Sequence, residues 1–264
     1  MTEPNHLVAI DARGVATVTL NRPQIHNAFD DVLIADLTRT LQGLEADAKV
    51  RLVVLTGAGK SFSAGGDLGW MRRMADFSEA ENLRDARGLA ALMRTLDRLA
   101  KPTIALVQGA AYAGGCGLVA CCDIAIAVDT ANFALTETRI GLIPAVISPY
   151  VLNAIGERAA RRYFLTAERF DAAEALRIGF VHQVVPAADL AAAGETIVAT
   201  LLGCGPNALR EAKRLIRRIA HGAIDDAMIE ETATSIARIR ATPEGKEGVS
   251  SFLEKRKPGW IVGA

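Results

Sequence analysis

The segment from Thr103 to Val128 constrains the fold of this chain most strongly, because four glycines lie within nine of its residues. The four are Gly109, Gly114, Gly115 and Gly117. Glycine at this density permits sharp turns and a close approach of backbone or ligand. The surrounding pattern predicts a buried strand at 103–107, a turn, a short helix of small residues, and a second strand at 123–128.

The N–H groups of Gly114 and Gly115 are the first candidates for a function. If these residues begin the predicted helix, their N–H groups have no partner inside it and lie at its positive end. Such donors can hold a phosphate, or a carbonyl oxygen that becomes negative during a reaction. For an isolated glycine cluster, the alternative is a tight helix–strand contact that only small residues fit.

The composition is that of a globular protein, since half of the 264 residues are apolar and 23% are charged. Thirty basic and thirty acidic residues cancel, so no global field favours nucleic acid or an anionic membrane. The N-terminal residues lack the basic and apolar regions of a secretory signal, and no uninterrupted apolar run is long enough to span a membrane. The cysteines and histidines show no metal-ligand spacing. We therefore expect a cytoplasmic protein without a bound metal.

Strands alternate with helices in the first half of the chain, which predicts an α/β layer. The predicted strands lie at 6–11, 15–20, 52–55, 103–107, 123–128 and 132–135. Beyond Pro144 the pattern is mainly helical, with one further strand at 181–185. We expect a core over residues 1–200 that contains the binding site, followed by a helical region over residues 201–264.

A second glycine-rich loop, Lys60–Leu68, also follows a buried strand. In open α/β sheets, ligands bind at the carboxyl ends of the strands, where such loops lie side by side. Two loops in this position could each place one N–H group on a shared oxygen atom.

Several ordered segments together resemble the crotonase family, which comprises enoyl-CoA hydratases and isomerases, and the resemblance covers nearly the whole chain. The segments are Asn21-Arg22-Pro23 with Asn27-Ala28, Phe62–Leu68, Gly109–Ile124, Phe133–Pro144 and Phe252–Pro258. Each motif is weak alone, whereas their combination in this order is specific. The resemblance implies an α/β crotonase fold, in which repeated strand–strand–helix units form a core and C-terminal helices assemble trimers.

The resemblance also implies a role for the matching residues. Gly66 and Gly114 match the two backbone donors of the family's oxyanion hole, which binds a thioester carbonyl oxygen. Ala64 and Leu68 match the loop that holds coenzyme A. Glu137 matches one of two catalytic glutamates, and a carboxylate in this position can move protons close to the activated carbonyl.

Four further residues are candidates for substrate contact: Gly65, Asp67, Tyr112 and Gly117. For Asp67 the alternative is a turn or cap, and for Tyr112 it is packing. Gly117 lies where a typical hydratase has its other glutamate. Because glycine has no side chain to titrate, the sequence predicts a single catalytic carboxylate and a vacancy, which could hold the branch of an acyl group.

Two enzymatic interpretations follow from the single carboxylate. Glu137 could orient water and return its proton to Cα on the same face, or it could shuttle a proton between two carbons in an isomerase. Residues 137–155 resemble the methylglutaconyl-CoA hydratase branch, which favours hydration of a branched, carboxylated enoyl-CoA. Arg72, Arg73 and Arg139 are candidates to bind the second carboxylate, by charge alone.

The resemblance implies no cofactor, because coenzyme A is part of the acyl-CoA substrate. It also implies a homotrimer or a dimer of trimers, with residues 252–257 reaching towards a neighbour's coenzyme. A non-catalytic homologue that binds CoA or RNA is the alternative from another class. Five basic residues on one predicted helix would serve RNA binding, but such a stripe is most often a solvated face. They are Arg210, Lys213, Arg214, Arg217 and Arg218.

Overall fold

The computed structural model describes residues 4–220 and 222–261 and contains two β-sheets with helices packed against them. The predicted regions 1–200 and 201–264 therefore each include residues outside the described ranges, and His221 also lies outside them. The strands are β1 (His6–Ile10), β2 (Val15–Leu20), β3 (Leu52–Gly57), β4 (Ser61–Ser63), β5 (Thr103–Val107), β6 (Ala110–Tyr112), β7 (Ile124–Val128), β8 (Asn132–Ala134), β9 (Phe170–Asp171) and β10 (Gln183–Val185). The helices are α1 (Asp31–Ala46), α2 (Leu68–Met74), α3 (Glu79–Arg98), α4 (Gly114–Cys121), α5 (Ser148–Thr166), α6 (Ala172–Arg177), α7 (Leu190–Gly203), α8 (Pro206–Ile219), α9 (Asp226–Ala241) and α10 (Pro243–Leu253).

Strands β3 to β8 alternate between the two sheets along the chain. The larger sheet has the order β1-β2-β3-β5-β7-β10, and the smaller one has the order β4-β6-β8-β9. Of each successive strand pair, the first strand (β3, β5, β7) enters the larger sheet and the second (β4, β6, β8) enters the smaller sheet. Within the sheets, the neighbours β3–β5, β5–β7, β4–β6 and β6–β8 are parallel, whereas β1–β2 and β8–β9 are antiparallel. The predicted α/β fold of repeated strand–strand–helix units is confirmed.

The helices begin where the sequence provides capping side chains. Asp30 Oδ1 accepts a hydrogen bond from Leu33 N at 2.8 Å and so caps α1. Ser78 and Glu81 form the capping box that begins α3. The apolar stripe of α1, which includes Leu37 and Leu41, is buried in the main hydrophobic core.

The sequence pattern misses the smallest elements. Strands β4 and β6 have three residues each, and α2 has seven, which is too short for a helical period to emerge. Helix α5 lies in the part of the chain that the sequence predicts as mainly helical, and a kink at Gly156, where φ is +71°, separates its halves. A residue in this left-handed conformation interrupts a helix, and glycine adopts it at little cost.

The C-terminal helices differ in how much of their surface is buried against the rest of the chain. The predicted boundary after residue 200 lies inside α7, and Val198 of that helix packs on β2, β3 and β5. Lys213 of α8 is buried, and its Nζ lies 2.7 Å from Asp123 Oδ2 beside β7. Helix α9, in contrast, buries no residue within this chain. In the described part of the chain, no helix alone has the length and apolarity to cross a membrane; Ala187–Gly203 and Pro206–Ile219 meet that test only jointly, across a 104° bend.

Candidate active site

Two loops cross at the ends of β4 and β6 with almost no space between their backbones. A Cβ atom on Gly115 would lie 2.6 Å from Ser63 O, and one on Gly65 would lie 3.0 Å from Ala113 Cβ. Carbon atoms do not approach backbone oxygen as closely as 2.6 Å, so the first position excludes any side chain. Gly65 also has φ +86°, a conformation that favours glycine. The glycines therefore permit the loops to meet.

The residue before Gly114 has an unusual backbone conformation. Ala113 has φ +46° and ψ −118°, a region that a residue with a Cβ atom rarely adopts. Its N–H group donates to Ala134 O of β8 at 2.8 Å, which holds the turn in place. Backbone strain of this kind persists only where the surrounding structure enforces it, and it is concentrated at functional sites. Here the strained residue directly precedes Gly114, the first residue of α4.

The N–H groups of Gly66 and Gly114 make no hydrogen bond within the described residues. Both residues line one cavity of about 560 Å³. An extended bridge between Gly66 and Phe29 fixes the first loop: Phe29 N donates to Gly65 O, and Asp67 N donates to Phe29 O. Two unused donors that face one cavity form the arrangement expected of an oxyanion hole.

Glu137 opens onto the same cavity from the 3-10 turn Glu137–Ile140. Its Oε2 atom is buried and has no hydrogen-bond partner among the described residues. Burial raises the pKa of this carboxyl group above its ordinary value, because the charged form loses its hydration. A carboxyl group with a raised pKa and a free oxygen is suited to exchanging protons with a ligand.

The remaining wall of the cavity is apolar. Its side chains come from α2, α3 and the segment before α5, and they include Trp70, Met71, Met74, Leu89, Val146 and Ile147. Trp70 is held in place because its Nε1 atom donates to Asp85 Oδ1 of α3 at 3.0 Å. Among the described residues that line the cavity, Glu137 is the only carboxylate and Arg139 the only cation. The site thus combines two backbone donors, one acid and one cation in a mainly apolar cavity.

Comparison with known proteins decides the family. A family model described as enoyl-CoA hydratase/isomerase matches residues 11–262. The chain belongs to the enoyl-CoA hydratase/isomerase family. It is therefore an enzyme of the crotonase superfamily.

Individual relatives match the chain along most of its length. A putative enoyl-CoA hydratase from Thermus thermophilus is 34% identical and covers 96% of this chain and 99% of its own. A short-chain-enoyl-CoA hydratase from Clostridium acetobutylicum is 33% identical, with 97% of each chain covered. The crystal structure of an enoyl-CoA hydratase from Shewanella pealeana has a TM-score of 0.94 at 46% identity, covering 97% of this chain and 96% of that one.

Five of the predicted site residues line the cavity: Ala64, Gly66, Leu68, Gly114 and Glu137. Among the others, Gly65 forms the loop crossing, and Asp67 caps α2 by accepting a hydrogen bond from Trp70 N at 2.9 Å. Tyr112 is not among the residues that line this cavity; its hydroxyl is hydrogen-bonded to Asn132, and Arg169 lies over its ring. Its contact with substrate stays a prediction.

The predicted vacancy at Gly117 is wrong. A Cβ atom there would lie 2.3 Å from Ile147 Cγ2 and 3.1 Å from Met93 Cε. The side chain of Ile147 fills this space, and Gly117 itself does not line the cavity. The residues at 117 and 147 are 30 positions apart along the chain, so no local pattern could have paired them.

Metal chemistry and a reactive thiol have no support at this site. Within residues 4–220 and 222–261, no group of three or more potential ligands from His, Cys, Asp and Glu is close enough to hold a metal ion. Cys116 is fully buried beneath the loops, and burial raises the pKa of its thiol, so that it stays protonated. Glu137 is thus the one carboxyl group among the described residues that line the cavity.

Replacement of Glu137 by glutamine is expected to stabilise the protein more at pH 8 than at pH 5. Because the folded-state pKa of Glu137 is raised, the folded state is favoured while the group is protonated. That advantage is lost as the pH rises through the raised pKa, whereas glutamine stays neutral throughout. Thermal unfolding of both proteins at the two pH values measures the difference in Tm.

The exposed carboxylate of Glu157, which pairs with Arg161, provides the control. Glu157→Gln should change the Tm little at either pH, because exposed ion pairs contribute about 0–1 kcal/mol. An equal change in Tm for Glu137→Gln at pH 5 and pH 8 would contradict the conclusion that burial raises the pKa of Glu137.

Proposed function

We propose that this protein adds water to the double bond of an α,β-unsaturated acyl-CoA thioester. The observation that carries the proposal is the free, buried Oε2 atom of Glu137 in the cavity that also contains the unused N–H groups of Gly66 and Gly114. The names of the hydratases that match along nearly the whole chain support the same reaction. No cofactor is required, since the thioester of coenzyme A itself activates the double bond.

In the proposed reaction, the thioester oxygen accepts hydrogen bonds from Gly66 N and Gly114 N. Glu137 takes a proton from water, the hydroxide oxygen forms a bond to Cβ, and the electrons of the double bond move towards the thioester oxygen. The two donors stabilise the resulting enolate. Protonated Glu137 then gives its proton to Cα, so that H and OH from one water molecule are added on one face. Glu137 is deprotonated again at the end of the reaction, and no second carboxylate is needed.

Isomerisation is the second candidate, because Glu137 is the only carboxylate among the described residues of the cavity wall. An isomerase needs one base that removes a proton from Cα and returns it to Cγ. The same oxyanion hole would stabilise the same kind of enolate. The two reactions differ in whether oxygen from water enters the product.

Glu137→Gln should lower kcat for hydration of crotonyl-CoA by about 10²–10⁴-fold, because the general acid–base group is lost while the shape is retained. Binding of the saturated ester butyryl-CoA should be unchanged. Loss of the conjugated-thioester absorbance measures hydration, and conversion of a 3-enoyl-CoA in the same cuvette measures isomerisation. If Glu137→Gln retains most hydratase activity, another residue is the catalyst.

For the acyl group, we propose a branched, carboxylated enoyl-CoA of the 3-methylglutaconyl type. The support is the resemblance of residues 137–155 together with the position of Arg139 at the cavity. Arg139 is exposed and forms no ion pair with any acidic residue of the described segments. Of the other cations considered, neither Arg72 nor Arg73 lines the cavity, and Arg73 lies 2.5 Å from Asp31. Because Ile147 fills the space at Gly117, the branch would lie elsewhere along the apolar wall.

Arg139→Gln is expected to lower kcat/KM for 3-methylglutaconyl-CoA by about tenfold, since a hydrogen bond to a charged group contributes about 1.5–3 kcal/mol and the site is exposed. The value for crotonyl-CoA, which has no second carboxylate, should stay the same. Arg72→Gln is the matched control, because it removes an exposed arginine outside the cavity. Equal losses on both substrates would show that Arg139 does not recognise the carboxylate.

The predicted assembly into a trimer or a dimer of trimers also stays a proposal. It is supported by α9, which buries no residue within one chain and exposes Ile229 and Ile236 at 55% and 50%. Phe252 at the end of α10 is 81% exposed, which suits the proposed contact of residues 252–257 with a neighbour's coenzyme. Light scattering at micromolar concentration should give three or six times the mass of one chain. A monomer would contradict the proposal.

Nucleic acid is not a proposed partner. Four of the five basic residues on α8 are paired with acidic residues: Lys213 with Asp123, Arg214 with Glu211, Arg217 with Asp97, and Arg218 with Glu231. Such pairing leaves little excess positive charge for a phosphate backbone. A cytoplasmic location stays a prediction from the sequence.

A further inference from the structure

Ile147 contacts α4 on one side and the cavity on the other. It is only 2% exposed, and its Cγ2 atom lies where the side chain of residue 117 would begin. It nevertheless belongs to the cavity wall, beside Val146 and across from Met71 and Met74. A large residue at 147 is therefore possible only because residue 117 is glycine.

The place of this contact along α4 determines which part of an acyl group it would meet. Gly117 lies three residues beyond Gly114, which corresponds to a rise of about 4.5 Å along the helix axis. This is comparable with the distance from a thioester oxygen to the third or fourth carbon of the acyl chain, which are Cβ and Cγ. Ile147 therefore lies at the depth of Cβ rather than at the far end of a long chain.

We propose that Ile147 is the residue that limits the size and polarity of the substituent on Cβ. The inference rests on the proposed function in one respect, namely that the thioester oxygen binds at Gly66 and Gly114. A hydrocarbon wall excludes substituents that are too large, because a well-packed site resists overfilling. It also disfavours a carboxylate held against this wall, because the charged group would lose its hydration without gaining a hydrogen bond.

This proposal defines the substrate class more closely. The substituent on Cβ is hydrogen or a small alkyl group, and any charged terminus must turn towards Arg139. Ile147 fills the space beside Gly117, where a typical hydratase has its other glutamate. An apolar side chain in place of a carboxylate makes the wall beside Cβ apolar, and it leaves Glu137 as the single carboxylate of the proposed reaction.

Binding of saturated acyl-CoA thioesters tests the proposal without any turnover. Equilibrium dissociation constants are measured for butyryl-CoA and for 3-phenylpropanoyl-CoA, which has a bulky substituent on the carbon corresponding to Cβ. Ile147→Ala should improve the affinity for 3-phenylpropanoyl-CoA relative to butyryl-CoA by about tenfold or more, the scale set by one or more methylene groups in an apolar pocket. Ile147→Val, which removes only one methyl group, should shift the ratio in the same direction by less.

Leu142→Ala provides the matched control, because Leu142 lines the same cavity but is 53% exposed at its rim. This variant should leave the ratio of the two dissociation constants within about twofold of wild type, since little packed surface is lost. An unchanged ratio in both folded Ile147 variants overturns the proposal. A ratio that shifts equally in Leu142→Ala overturns it as well, because the effect would then not be specific to position 147.

A double substitution tests the pairing itself. Gly117→Ala alone should weaken the binding of butyryl-CoA by about tenfold, because the new Cβ displaces Ile147 into the cavity. Combined with Ile147→Ala, the same substitution should weaken binding by less than about twofold. Additive losses would overturn the pairing. Hydration of crotonyl-CoA by the wild-type protein is measured in parallel. If hydration is absent but the ratio of the two dissociation constants shifts in the Ile147 variants, only the proposed function is contradicted. If hydration is intact but the ratio is unchanged, only this inference is contradicted.

Discussion

The site depends on the close contact between two backbone segments, one after β4 and one after β6. At Gly65 and Gly115, a Cβ atom would approach the opposite segment to 3.0 Å or less, with 2.6 Å at Gly115 the shorter distance. Interiors are packed too densely to absorb such overlaps. This contact brings Gly66 and Gly114 to one cavity, and the strained residue Ala113 directly precedes Gly114. Both sheets of the fold serve to hold these segments together.

The apolar cavity determines what the single carboxylate can do. Burial raises the pKa of Glu137, so its carboxyl group holds a proton more readily than that of an exposed glutamate and is better suited to accept a proton and return it. In the proposed reaction, the backbone donors need no reorganisation when charge develops on the thioester oxygen, because their positions are already fixed. Glu137 and the two glycines would then supply complementary functions, and the apolar wall would strengthen both by excluding water.

The sequence predicted the fold class, most strands and the residues Gly66, Gly114 and Glu137, because hydrophobic periodicity and ordered glycine motifs are local signals. It could not predict what surrounds Gly117, because Ile147 reaches that space through tertiary packing from a segment 30 residues away. For the same reason, the wall residues Trp70, Met74 and Leu89 resembled ordinary core residues. The contacts of Asp67 and Tyr112 also come from the structure alone: Asp67 caps α2, and the hydroxyl of Tyr112 is hydrogen-bonded to Asn132.

A crystal structure of the protein with bound butyryl-CoA would test the central claim most directly. The thioester is saturated and cannot be hydrated, so its position reports binding alone. The account predicts that the thioester oxygen lies about 2.7–3.1 Å from both Gly66 N and Gly114 N, the range for productive oxyanion-hole donors, with Cα and Cβ beside Glu137. A thioester oxygen that contacts neither N–H group, or an acyl chain that lies outside the cavity, would contradict it.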